Sequence, residues 1–464
     1  MLHRPRTFAL LPPTYLKLVC ALVCAFVLLF VAAVAAEADP QYRGAQVHSL
    51  WPTVSSAEMT QELNALQGAG VNVLRVDVGW ATMEYAQGKE SPEYLAKLDA
   101  LAAGAQARGI KLIATLWQTP SWASAGGAWN DAPSDPATYG AFARFITGRY
   151  GSELAAVEAW NEPNVDDNLI ASNLPATYTQ MVKSFYTGAK EGDPNVAVLA
   201  GALSYADVPF LQSLYANGIK GYYDGISVHP YADGAAPADT AVTHSFLGGI
   251  ESLHAAQLAA GDNTPEWVTE FGWPTGSSAG ANTEQQQAEY TEQAFALIDD
   301  LSYVEGATVY ELRDMETNAS DPEDNFGMLR QNFTPTPAYA ALKAAMQVAP
   351  GAAPPPSSFQ SGAPETGSGR SESGTGSGSA GAPEAGAPVP EAPEAGTQVS
   401  GTPSESSTGS GETTLGSSSK GVTGAHHSQA SRSQSRARIA SIKSRRLRRH
   451  IRRAVVRRRS PRPS

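Results

Sequence analysis

The chain has 464 residues and a formal net charge of −12, from 33 Lys+Arg against 45 Asp+Glu. That figure hides a segregation: residues 41–350 carry about 14 basic and 36 acidic side chains, whereas residues 420–464 carry about 15 basic and none acidic. An acidic globular part excludes the uniformly basic groove of a nucleic-acid enzyme, and with both cysteines (Cys20 and Cys24) in one N-terminal apolar run, disulfides, thiol catalysis and Cys-ligated zinc are excluded beyond it.

Arg4, Arg6 and Lys17 precede an apolar run from about Leu18 to Ala36, and Ala33-Val34-Ala35 and Ala36-Glu37-Ala38 offer small-residue cleavage sites. Residues 1–38 therefore read as a signal peptide or, uncleaved, as an N-terminal anchor, since the run is just long enough to span a bilayer. Either exports the rest of the chain. A lipoprotein does not fit, because Val19 and Val23 stand where a small residue precedes a lipidated cysteine.

From 39 to 350, segments of strand character alternate with segments of helical period. The strands are expected at 44–50, 71–78, 110–117, 155–162, 195–204, 223–231, 266–272 and 305–313. The helices follow at 56–69, 91–108, 136–150, 175–189, 208–217, 244–260, 283–300 and 336–347. Ser91-Pro92, Asp135-Pro136 and Asn282-Thr283 suit helix starts, and Gly70, Gly109 and Gly151 suit helix ends. Eight such units in about 310 residues predict an α/β fold, a (β/α)8 TIM barrel. An open doubly wound sheet usually has a Gly-rich loop after its first strand, and His48-Ser49-Leu50-Trp51-Pro52 is not one.

After residue 350 the composition turns to Pro, Ala, Gly, Ser, Thr and Glu. Such a segment buries too little apolar area to offset its ordering entropy, so 351–419 reads as a disordered linker. The Arg-rich segment 420–464 reads as a basic tail. For an exported chain its expected partners are anionic cell-envelope polymers or lipid headgroups rather than nucleic acid.

Ala159-Trp160-Asn161-Glu162-Pro163-Asn164 closes the fourth expected strand, and Trp267-Val268-Thr269-Glu270-Phe271-Gly272-Trp273 the seventh. In barrels of this kind the carboxyl ends of the strands face the active-site mouth. Two glutamates there can flank a glycosidic bond, one protonating the leaving oxygen and one attacking the anomeric carbon. At the roughly 5–5.5 Å separation of retaining enzymes, two like charges at effective ε ≈ 20 repel by about 3 kcal/mol. That amounts to about two pKa units on whichever carboxyl ionises second, which suits one to act as acid and the other as nucleophile. Strand alternation turns Val73, Arg75 and Asp77 inward and Leu74, Val76 and Val78 outward; it also turns Ser227, His229, Tyr231, Trp160 and Glu162 inward. Asn161 reaches the site only if the strand ends or bulges there.

These motifs resemble clan A retaining glycoside hydrolases, closest to family 39-like members with family 5 next. The resemblance rests on Asn161-Glu162-Pro163, on Glu270 with Gly272 and Trp273, on His229 and Tyr231, and on Arg75. Phe326-Gly327-Met328-Leu329 and Thr336-Pro337-Ala338-Tyr339 add to the family 39 likeness. It implies Glu162 as acid/base, Glu270 as nucleophile, Asn161 on the sugar 2-hydroxyl, Arg75 and Tyr231 beside the nucleophile, and His229 near the acid/base. The chain departs from family 5 in having Trp117-Gln118 where a histidine is common. It departs from many clan members in having Val309-Tyr310-Glu311 where a tryptophan platform is common.

All eight tryptophans fall between 51 and 273, and Trp117 and Trp273 are substrate-binding or supporting candidates, since indole rings stack on sugar faces. Glu158 and Glu266 sit deeper in their strands and are expected to be structural ion-pair partners. His48, His244 and His254 lack metal-ligand spacing; neither a metal nor a cofactor is expected. The reading is a secreted or extracytoplasmic monomer that cleaves β-glycosidic bonds of a poly- or oligosaccharide by double displacement. The alternative is a catalytically silent polysaccharide-binding barrel tethered by its basic tail, against which the two intact glutamates argue.

Overall fold

A computed structural model of the protein describes residues 42–347. The export segment 1–38, the linker 351–419 and the tail 420–464 lie outside the described residues. Eight strands run parallel: β1 (Tyr42–Val47), β2 (Val73–Gly79), β3 (Lys111–Trp117), β4 (Leu154–Ala159), β5 (Ala197–Ser204), β6 (Gly225–His229), β7 (Glu266–Phe271) and β8 (Val304–Val309). They close in the order β1-β8-β7-β6-β5-β4-β3-β2. The helices that follow them are α1 (Ser56–Ala69), α2 (Pro92–Gln106), α3 (Pro136–Tyr150), α4 (Leu174–Gly192), α5 (Val208–Ala216), α6 (Phe246–Ala259), α7 (Glu284–Asp299) and α8 (Pro337–Gln347). The expected (β/α)8 barrel is what forms.

Local chemistry sets the helix boundaries. Ser55 and Thr283 cap α1 and α7 in reciprocal boxes with Glu58 and Gln286, and Ser91 and Asp135 cap helices that begin with proline. Gly70 ends α1 in the left-handed conformation (φ 83°). Gly151 does not do the same for α3; at φ −50° it leads into a short 3-10 turn, Gly151–Glu153. The loop after β2 holds a one-turn helix (Trp80–Met83) and a hairpin (84–86 with 89–90) that the sequence pattern does not announce.

The inward residues Val73, Ile113, Ala155, Ala156, Leu199 and Trp267 form their own apolar cluster inside the barrel. Leu74, Val76 and Val78 join the larger core between strands and helices, as the alternation requires. Trp267 fills the lower barrel and stacks on Tyr42 at 5.3 Å between ring centroids. Its neighbour must be glycine: a Cβ on Gly306 would stand 2.3 Å from the indole ring. Packing of this kind plugs the barrel at the amino ends of its strands. The polar interior is confined to the carboxyl ends.

Candidate active site

Arg75 is the hub of that polar interior and is completely buried. Its Nε and Nη2 donate to Glu158 Oε2 (2.9 and 2.6 Å), Nη2 also to Asn161 Oδ1 (2.8 Å), and Nη1 to Gln46 and to Glu270 Oε1 (2.7 Å). Burial alone would raise the Glu158 carboxyl. Arg75 outweighs it, with His229, Thr115 and Ser227 helping, and holds Glu158 below the ordinary carboxylate range. Burial opposes the charge on Arg75 too, yet Glu158, Glu270 and Asp77 push its pKa upward. Glu158 is thus the ion-pair partner that its depth in β4 implied.

The end of β4 departs from simple alternation. Trp160 takes φ 75° and Glu162 φ 47°, a left-handed conformation costly for such side chains. The reversal sends the Trp160 ring outward against Tyr139 of α3, and its Nε1 donates to Asn168 O. The expectation that Trp160 faces inward is therefore corrected, because the strand ends at Ala159. The same turn brings Asn161 onto Arg75.

A bulge does the corresponding work in β7. Ala307 and Val309 of β8 pair with Val268 and Phe271, so two residues of β8 span three of β7. Thr269 and Glu270 both turn inward as a result, Thr269 donating to Glu158 at 2.8 Å. Tyr231, just beyond β6, donates to Glu270 Oε2 at 2.7 Å. Burial and then the Glu270 charge push the Tyr231 hydroxyl well above its usual pKa, so it remains a donor. His229 Nδ1 lies 3.1 Å from Glu162 Oε1 and 3.5 Å from Glu270 Oε2, between the two carboxyls. Asn168 Nδ2 approaches Glu162 Oε2 at 3.3 Å. One carboxylate oxygen of Glu162, one of Glu270 and a ring nitrogen of His229 all lie within 4.8 Å of one another.

That triad has the donor set of a metal site. A cation held there would, however, stand beside the Arg75 guanidinium that already bonds Glu270, and the like charges oppose it.

Arg75, Asn161, Glu162, His229, Tyr231 and Glu270 therefore converge. Trp117 and Trp273 do so less. Trp273 is buried against Phe246, Phe271 and Tyr290, and its Nε1 donates to Ala235 O, so it braces the loop after Tyr231 rather than facing the glutamates. Trp117 lies at the end of β3, edge-on to Trp129 and Trp160. Tyr310, at the strand-eight position, joins Tyr205, Tyr231 and Phe326 in an aromatic cluster. Asn168 and Gln46 are the contacts that sequence reading missed. Gln46 shares the inward parity of Gly44 in β1 and was open to detection; Asn168 sits in a loop with no period to read.

A sequence model of the cellulase family, glycosyl hydrolase family 5, matches residues 33–304. The chain belongs to glycosyl hydrolase family 5. The family match agrees with the clan A resemblance, and of the two families that the motifs named it is the second. Among curated proteins no sequence relative is found. Solved structures share the fold. A family 39 glycoside hydrolase from Bacteroides cellulosilyticus WH2 is 21% identical with TM-score 0.55, covering 67% of this chain and 64% of its own. An exo-β-1,4-mannosidase from Opitutaceae bacterium strain TAV5 is 17% identical (TM-score 0.51, 66% and 59%). A GH5_18 protein from Streptomyces cattleya, solved with Manβ1-4GlcNAc, is 17% identical (TM-score 0.54, 66% and 80%). This family 5 chain thus spans less than two thirds of the length of the first two. Among its described residues no helix is long and apolar enough to cross a membrane.

Proposed function

We propose that this family 5 chain is a retaining β-glycosidase acting on a poly- or oligosaccharide, with Glu270 as nucleophile and Glu162 as acid/base. The observation that carries the reading is the approach of the two carboxyls within 4.8 Å, with different partners on each. Glu270 accepts from the Arg75 guanidinium and the Tyr231 hydroxyl, which favour its ionised form. Glu162 faces a histidine ring nitrogen and an amide rather than a permanent cation, as suits a carboxyl that must hold a proton and give it up.

In the first step a Glu270 oxygen bonds to the anomeric carbon, the glycosidic C–O bond breaks, and the Glu162 proton passes to the departing oxygen. In the second, Glu162 takes a proton from water, the water oxygen bonds to the anomeric carbon, and Glu270 leaves as carboxylate. An acceptor sugar in place of water makes the same step a transglycosylation. Asn161 accepts from Arg75 through Oδ1, which orients its Nδ2 to donate to the sugar 2-hydroxyl. Arg75 holds both Asn161 and Glu270, so attack and recognition share one anchor. Trp117 and Trp273 act as a wall and a brace for the sugar site.

The test is a pair of substitutions. Glu270→Ala abolishes turnover, and azide restores it as a glycosyl azide of inverted configuration. Glu162→Ala retains activity mainly on aryl glycosides with good leaving groups. Full activity in either variant contradicts the assignment.

Export through residues 1–38 and retention at the envelope by residues 420–464 belong to the same proposal. Export is supported by the basic start and apolar run of residues 1–38, and retention by the charge segregation of the tail. Moderate salt is expected to elute the full chain from envelope preparations, and a 1–419 truncation is expected not to bind them.

A further inference from the structure

Around the two glutamates, polar atoms at neighbouring strand ends are buried with no hydrogen-bond partner among the described residues. Two of them are Oδ1 of Asp77 on β2 and Nε1 of Trp117 on β3. Buried polar groups in folded proteins are almost always satisfied, so an acceptor and a donor left over beside a catalytic pair call for a ligand that supplies both.

Their positions are those of groups that meet a sugar. Asp77 lies one pleat above Arg75 on the inner face, its Oδ1 3.9 Å from the Nη1 that donates to Glu270. Asp77 pairs with Thr115 and Gly79 with Trp117, so Trp117 stands one pleat higher on the adjacent strand, only 6% exposed. Across β1, His48 Nε2 contacts Glu311 Oε2 at 2.8 Å, and Tyr310 donates to the buried Glu323. The cations nearby are committed: Arg75 is matched by Glu158 and Glu270, and Arg313 by Glu62 at 2.8 Å. Carboxyls therefore outnumber guanidinium groups along this arc of the barrel end, and burial, against the pull of Arg75 and His48, pushes the Asp77 carboxyl above its ordinary pKa, so that a further anion beside it is opposed.

We infer that Asp77 and Trp117 are specificity-determining residues that accept from and donate to hydroxyl groups of the sugar held against Glu270, and that Asp77 and Glu311 restrict this sugar to units without a carboxylate. The inference rests on Glu270 being the nucleophile. A uronic acid in the same place sets its carboxylate against Asp77 and Glu311, and the guanidinium groups of Arg75 and Arg313, the cations nearby among the described residues, are already paired. Neutral sugars offer hydroxyls that satisfy both orphaned atoms.

The experiment compares kcat/KM of the purified protein on 2,4-dinitrophenyl β-glycosides of glucose, mannose, galactose, xylose and glucuronic acid. The best neutral glycoside is expected to exceed the glucuronide by about 100-fold. Asp77→Ala lowers kcat/KM on that neutral substrate by roughly 10- to 100-fold, the scale of a hydrogen bond to a charged group, and narrows the neutral-to-glucuronide ratio by at least about tenfold. Asp77→Asn, which keeps the shape, narrows the ratio while retaining more neutral activity. Trp117→Phe keeps a ring without the N–H and raises KM. Thermal melting shows that each variant is folded. Equal turnover of the glucuronide overturns the inference. So does an unchanged ratio in both Asp77 variants, which marks Asp77 as a mere support for Arg75. No turnover of any glycoside by the unaltered protein defeats the nucleophile assignment first, and this inference with it.

Discussion

Glu158 and Glu266 are both fully buried glutamates of the barrel, and they live in opposite environments. Glu158, near the carboxyl end of β4, receives two guanidinium donors and the hydroxyls of Thr115 and Thr269, and stays ionised. Glu266, at the base of β7, has no hydrogen-bond partner among the described residues; the His254 ring faces it, with Nδ1 3.5 Å away. Burial, and then Asp262, push its carboxyl well above the ordinary range. Burial also lowers His254, which stacks flat on Tyr303 at 3.6 Å, so the pair is a contact between neutral groups. The expected ion pair at Glu266 is corrected accordingly. The barrel sustains buried charge only where a network satisfies it, and that network is the one built around the glutamate pair.

The sharpest way to break this contrast is to remove the hub. Arg75→Met strands Glu158 and Glu270 as buried charges and is expected to cost roughly 3–5 kcal/mol in urea unfolding, with activity falling by at least about 1000-fold. A variant that unfolds like the parent contradicts the network. Next in size is Tyr231→Phe, which takes one donor from Glu270. Its kcat is expected to fall about 10- to 100-fold, the effect of a hydrogen bond to a charged group, while stability changes little. Asn168→Ala comes third: a few-fold loss of kcat, larger for substrates with poor leaving groups, because only Glu162 loses a contact. Treatment with EDTA is expected to leave activity unchanged, and a loss restored by a divalent cation assigns the triad to a metal instead.

Glu266→Gln is the smallest effect and works at the opposite end. Because the folded-state pKa of Glu266 is raised, its contribution to stability is fully present below the ordinary glutamate pKa and is lost as pH rises through the folded value. The glutamine variant is therefore expected to gain in melting temperature relative to the parent between pH 4.5 and 8, with unchanged activity. Identical pH profiles contradict the neutral assignment.

Much of this was legible in the residues. Caps at Ser91, Asp135 and Thr283 place helix starts, and alternation puts Arg75 inside and Leu74 and Val76 outside. Alternation fails where the backbone does something local. Nothing in Trp160-Asn161-Glu162 announces the left-handed turn that exchanges the directions of Trp160 and Asn161. The bulge that lets both Thr269 and Glu270 face inward is likewise silent in sequence. β1, β4 and β8 end at Val47, Ala159 and Val309 rather than at 50, 162 and 313, because apolar residues continue into loops that pack on the core. Trp273 was read for its ring, and packing against three aromatic neighbours decided its place.

The most direct measurement of the central claim is to trap the intermediate. A 2,4-dinitrophenyl 2-deoxy-2-fluoro-β-glycoside of the preferred sugar slows the second displacement, so the glycosyl-enzyme accumulates and can be digested and sequenced by mass spectrometry. One added fluoroglycosyl group is expected, on Glu270. Stoichiometric labelling of Glu162 or Glu158 instead, or turnover by inversion with no covalent adduct, contradicts it.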